Sequence, residues 1–183
     1  EGLPVAPSMG PGLAEAHIAP KPTQISARVV GISVVCVALA FAAALVAQLL
    51  TRMIAAVTNL AFYGRLSSEM VAPSIEKLGW AVVAVPIVGG LLVGLLARYG
   101  SPAIRGHGIP EAMEQILTND SRIPIRMTFL KPLSAAVAIG TGGPFGAEGP
   151  IIATGGALGS SIGQLLTVTA AERKTLLAAG AAA

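Results

Sequence analysis

The chain has 183 residues, of which 54% are apolar and only 11% charged, with a formal net charge of +3. Ordinary soluble domains carry about 45–50% apolar and about 25% charged residues. That balance excludes a soluble enzyme, a nucleic-acid binder and a disordered linker.

The missing charge is concentrated. None occurs from Val29 to Thr51, Leu78 to Ala97, Pro132 to Ala147 or Gly149 to Ala171. The first two stretches cleanly reach the roughly 20 apolar helical residues that cross a bilayer core. The expected class is therefore an all-α, polytopic membrane protein.

In chain order, residues 1–24 hold Pro4, Pro7, Pro11, Pro20 and Pro22 and read as an irregular lead-in, with His17 solvated. They lack the basic start, apolar stretch and small-residue cleavage site of a signal peptide. A first helix is predicted over Ser26–Tyr63. At about 1.5 Å per residue it exceeds the bilayer thickness and must tilt or project. Arg52, inside it, should face protein or reach a headgroup. Cys36 reads as a core thiol, and as the single cysteine it has no partner for a disulfide within the chain. Residues 64–77 are polar enough for an external loop. A second helix follows over Glu76–Tyr99, with Pro86 expected to kink its middle. Trp80 suits an interface anchor, and Gly90 and Gly94 have the spacing of a close helix contact.

Arg98, Arg105, Arg122, Arg126 and Lys131 cluster after the second helix, and Lys21 and Arg28 precede the first. In the loop between, Arg65 and Lys77 are matched by Glu69 and Glu76. The positive-inside rule puts the N-terminus and residues 98–131 in the cytoplasm and the 64–77 loop outside.

Beyond Arg98 the spans become irregular. Ile109–Thr118 is a helix too short to cross, and Met127–Ile139 could enter the bilayer. Glycines break the chain over 140–146; helix resumes near Glu148–Pro150 and runs to Leu166, and another begins at Ala170 or Ala171. Short and broken helices at membrane depth belong where they are buried in protein or line a watery cavity, and in transporters they mark the substrate site. Gly155, Gly159 and Gly163 form a smooth stripe for helix packing. The uncapped apolar ending at 176–183 reads as part of something longer.

Two segments share one design: Gly106-His107-Gly108-Ile109-Pro110-Glu111 and Gly146-Ala147-Glu148-Gly149-Pro150. Each sets glycines and a proline at a helix start. Proline suits the first turn, where its absent N–H would be unpaired anyway. Glycines leave neighbouring N–H groups uncovered, and the helix dipole adds about half a positive charge. Two such starts converging would replace the water of a small anion without gripping it too firmly for release. No Gly-Lys pair exists for a P-loop, and a membrane helix rather than a strand precedes each motif, against a dinucleotide fold.

Glu148 is the only acid between Ser121 and Ala171. A carboxylate at membrane depth must be paired or protonated. It could simply cap a helix; as a functional group it would occupy the anion site when charged and leave it when protonated. Glu111 and Glu114 suit the dipole of their helix's first turn, or could pair with Arg105 or Arg126. An intramembrane enzyme using Glu148 is disfavoured. No histidine lies near it in sequence to build a metal site, and neither metal nor cofactor is expected. A secondary transporter of another kind, binding a cation or organic anion at its broken helices, remains the alternative.

The ordered pair of motifs, with Ser161-Ile162-Gly163-Gln164 and the Arg173–Ala183 ending, resembles the CLC family of chloride channels and proton-coupled chloride transporters. The likeness covers about residues 26–183. It implies a CLC-type fold of tilted, short and broken helices, of which residues 25–183 would be the N-terminal part, truncated at its C-terminal end. It also implies chloride as transported ligand, possible proton coupling, voltage gating in some members, and a homodimer with one pore per subunit. Glu148 then resembles the gating glutamate and proton acceptor, and Gly106–Pro110 and Gly146–Pro150 two chloride-binding segments. His107 stands where the family usually has serine, so anion preference and pH response are expected to differ. Ala147 replaces a common basic residue. Lys131 resembles a basic residue that biases the pore electrostatically, the alternative being a lysine that snorkels to the cytoplasmic face.

Overall fold

The computed structural model describes residues 27–74, 78–106 and 108–183, and these form helices and loops without a β-strand. The lead-in at 1–24, with His17, lies outside the described residues, as do Glu76, Lys77 and His107. Packing separates residues 1–31, described only as helix over 27–31, from residues 32–183, which carry all that follows.

Helix α1 spans Ala27–Tyr63, and its buried residues gather in the C-terminal half, where Ala55, Thr58, Asn59 and Phe62 share one face. There Leu50 packs with Ala135 and Ala136, flanked by Met53, Ile54, Ile139 and Ile151. Arg52 is exposed, off the packed face. Fully buried Asn59 ties the following loop to the helix: Nδ2 donates to the carbonyls of Ala55 and Glu69, while Oδ1 accepts from Arg65 Nε at 2.8 Å. Tyr63 Oη donates to the Ala72 carbonyl at 2.6 Å.

The second apolar stretch is three helix types in series. A 3₁₀ turn over Gly79–Val83 leads into α2, Ala84–Leu95, which ends in a π turn over Leu96–Gly100. Pro86, where a kink was expected, lies just after the change from the 3₁₀ turn to α2. Its missing N–H falls at the third residue of α2, next to the junction of the two helix types. The expected contact face is corrected. Gly90 and Gly94 look onto open space, whereas buried Gly89 meets Thr141. α1 and the 79–100 stretch are each long and apolar enough to cross a membrane.

After a 3₁₀ turn over Pro102–Ile104, four shorter α-helices complete the described chain: α3, Ile109–Thr118; α4, Met127–Gly140; α5, Glu148–Leu165; and α6, Ala170–Ala182. The closest pair is α5 and α6, and glycine makes that closeness possible. Gly155 and Gly180 face each other's carbonyls, Gly159 faces the carbonyl of Leu176, and Gly163 the side chain of Arg173. At the break, a Cβ on Gly140 would lie 2.9 Å from the Ile54 carbonyl, so this glycine lets the end of α4 press against α1.

The turn before α4 is held by polar groups of α5 and α6. Ser160 Oγ donates to the Ser121 carbonyl and accepts from Ile123 N–H; Gln164 Nε2 donates to the Ile123 carbonyl. Arg173, buried, reaches the Asp120 carbonyl at 3.2 Å. Beneath these pins Ile104, Ile123, Met127, Ala157 and Leu177 form a common core.

Candidate functional site

The first motif begins with an unusual turn. Gly106 and Gly108 take φ of +91° and +97°, a region that a Cβ disfavours. The Glu111 carboxylate folds back beneath this turn, lies against Gly106, and accepts the Gly108 N–H at 2.7 Å. Glu111 thus caps its own helix, rather than serving only as a charge beside the dipole. Pro110, in the first turn, has no N–H to satisfy.

The second motif starts α5 directly after the glycine-rich break, with Glu148 as its first residue and Gly149 and Pro150 following. The two starts touch. A Cβ on Gly108 would stand 2.9 Å from the Gly149 carbonyl and 2.6 Å from Ala153 Cβ. Only a glycine at 108 allows the α3 turn to lie on the first turns of α5.

Both starts open onto one cavity of about 750 Å³. Gly106, Ile109 and Pro110 border it from the first motif, and Gly146, Glu148, Gly149 and Pro150 from the second. Ile109, Glu148 and Gly149 line this space, and their first-turn N–H groups have no carbonyl within their own helices, so the positive ends of α3 and α5 border it. Glu148 is exposed to it. Gly108 is buried and borders instead a second cavity of about 70 Å³. Ala147 is the residue before α5 and does not line the larger cavity. His107 lies outside the described residues.

Lys131 joins the two cavities, bordering both. It does not snorkel. The residue is 4% exposed, and its Nζ donates to the carbonyls of Ile104 at 2.9 Å and Gly106 at 2.8 Å. A buried ammonium requires such partners. The opposite charge acting on it is Glu111.

The family model described as voltage gated chloride channel matches residues 89–183, the stretch that contains both motifs and Lys131. The chain belongs to the voltage-gated chloride channel family, the CLC family. It is 33% identical over 108 residues to a putative chloride channel protein ClcB-like of Ralstonia nicotianae, covering 57% of this chain and 25% of that protein. It is 31% identical over 102 residues to chloride channel protein CLC-e of Arabidopsis thaliana, covering 56% of this chain and 14% of the relative. The chain thus spans a quarter or less of the length of these relatives. No solved structure matches it significantly.

Within this CLC-family chain, sequence reasoning missed several residues that the cavity gathers. Val93 comes from α2, Ser134 and Ala138 from α4, and Phe145 from the break. Only Phe145 carried a sequence signal, by interrupting the glycines; the others are ordinary helix residues whose place is set by packing. Glu111's turn around Gly108 was legible only as a first-turn acid.

Proposed function

We propose that this chain is the N-terminal part of a multi-pass CLC-type membrane domain that carries chloride or a similar small anion, as a channel or a proton-coupled antiporter. Its N-terminus and residues 98–131 face the cytoplasm, and the complete protein works as a homodimer. The observation that supports this reading best is the meeting of two glycine- and proline-led helix starts on one cavity that Glu148 lines and the Glu111 carboxylate does not. Membership in the family and the names of its relatives point the same way.

The chemistry follows from the helix ends. Unpaired N–H groups and converging dipoles favour negative charge, and Arg105 and Lys131 border the same space, the Lys131 ammonium being held by the Ile104 and Gly106 carbonyls. Glu148 in its ionised form is itself an anion tethered beside those donors, and it competes with chloride for them. Protonation removes most of that attraction, because a neutral acid gains far less from dipoles and N–H donors. The side chain then leaves, and an anion enters. Ionised Glu148 closes the path and protonated Glu148 opens it, so flux rises as pH falls.

Glu148→Gln keeps the size and removes the charge. In liposomes containing the full-length protein, chloride flux through this variant is expected to be insensitive to external pH and to carry no coupled proton. Wild-type pH dependence in Glu148→Gln would overturn the gate. Unfolding of Glu148→Ala would make the residue a structural cap instead.

A further inference from the structure

Lys131 and Glu111 hold the first motif at different backbone atoms, one by donating and one by accepting. Lys131 Nζ donates to two carbonyls of the turn, Ile104 and Gly106, from α4. Glu111 accepts the N–H of Gly108 from within α3. Between them they engage polar backbone atoms on both sides of residue 107. Gly106 has no room for a Cβ on its Glu111 side, and Gly108 none on its α5 side, so the turn is wedged as well as bonded.

We propose that Lys131 and Glu111 are positioning residues, a clamp on the backbone of Ile104, Gly106 and Gly108 that sets how this segment borders the large cavity and thereby its fit to an anion. The proposal rests on the anion-transport reading above. It differs from a purely electrostatic role for Lys131 in one respect that can be measured. An electrostatic lysine acts through its charge on the permeating ion, so loss of Lys131 and loss of the Glu111 charge should have opposite effects on anion flux. A clamp acts through hydrogen bonds, so breaking either side should have the same effect.

The local chemistry favours the clamp. Lys131 spends two of its donors on carbonyls, and the opposite charge of Glu111 acts on it. Losing the ammonium would leave the Ile104 and Gly106 carbonyls without their donor, a cost beyond the loss of the charge itself. The fixed quantity is geometry, and geometry decides whether helix-end donors meet an ion of a given radius.

The test uses the full-length protein and three variants. Lys131→Met removes the donors, Glu111→Ala removes the acceptor, and Glu111→Gln removes the charge while keeping an acceptor oxygen. Two quantities are read: chloride and nitrate flux from liposomes, and hydrogen–deuterium exchange of the 104–110 peptide. The clamp predicts that Lys131→Met and Glu111→Ala both lower chloride flux, on the order of tenfold, and both shift the nitrate-to-chloride ratio. Both should also speed exchange at 104–110 while exchange in α5 and α6 stays slow. Glu111→Gln should stay near wild type in each readout. The proposal is overturned if Lys131→Met lowers flux while Glu111→Gln raises it with exchange unchanged. If Lys131→Met fails to fold, the contrast between Glu111→Ala and Glu111→Gln decides the matter alone. If the wild-type protein passes no chloride, the transport reading fails, and the exchange data still judge the clamp.

Discussion

Gly108 carries more of the site than its size suggests. It has a positive φ, its N–H binds Glu111, and its missing Cβ admits the carbonyl of Gly149. Gly108→Ala is therefore expected to cost about 1–3 kcal/mol through backbone strain and overpacking, and to reduce anion flux by parting the two helix starts. A thermal melt alongside a flux assay checks both effects; an unchanged melt and flux would show that the starts tolerate separation. His107 stands beside it in sequence, where the family usually has serine. His107→Ser should shift the relative permeability among chloride, nitrate and fluoride or flatten a pH response near neutrality, as read by flux in each anion. Unchanged selectivity would make His107 a bystander. At this scale the glycines, prolines and Glu148 were legible because they break local rules that membrane helices otherwise keep. The partners of Lys131 were not, since Ile104 and Gly106 lie 27 and 25 residues away and nothing in the chain marks their carbonyls as acceptors.

The helices show the same division between what pattern reveals and what packing decides. The bounds of α3, α5 and α6 came close to expectation because each starts at a Gly/Pro or capping signal, such as Thr169, whose Oγ1 accepts Glu172 N–H. The glycine stripe of α5 was legible from its spacing of four. Its partner was not, and the structure supplies α6. The stretch 79–100 departed most, because spacing alone cannot say which glycine faces protein. Gly89, against Thr141, does so; Gly90, one residue on, faces away. Gly90→Ala should leave stability unchanged or raise it by up to about 1 kcal/mol through helix propensity, whereas Gly89→Ala should lower it. Gly159→Val should cost more than either, since its side chain would meet the Leu176 backbone, which cannot rotate aside. Thermal unfolding of the three variants in one detergent gives the order; equal midpoints for Gly89→Ala and Gly90→Ala would contradict the assigned face.

Across the whole chain, the exposed residues explain themselves by medium. Val34, Val37, Phe41 and Leu45 on α1 and Ile87, Leu91 and Leu95 on α2 are all exposed and apolar. In water such faces would aggregate; against lipid, or against further membrane helices, they are the expected surface. The cavity is lined mainly by the short helices α3, α4 and α5 and the break before α5, with Val93 contributed by α2 of the 79–100 stretch. The break before α5 thus borders a cavity through Pro144, Phe145 and Gly146, where N–H groups without helical partners are useful rather than costly. The central claim is that the two helix starts bind an anion for passage across a membrane. Chloride efflux from liposomes reconstituted with the full-length protein tests it most directly, with gluconate as the excluded ion. Chloride should leave far faster than from protein-free liposomes while gluconate is retained. Retention of chloride by both wild type and Glu148→Gln across the acidic to neutral range would contradict the account.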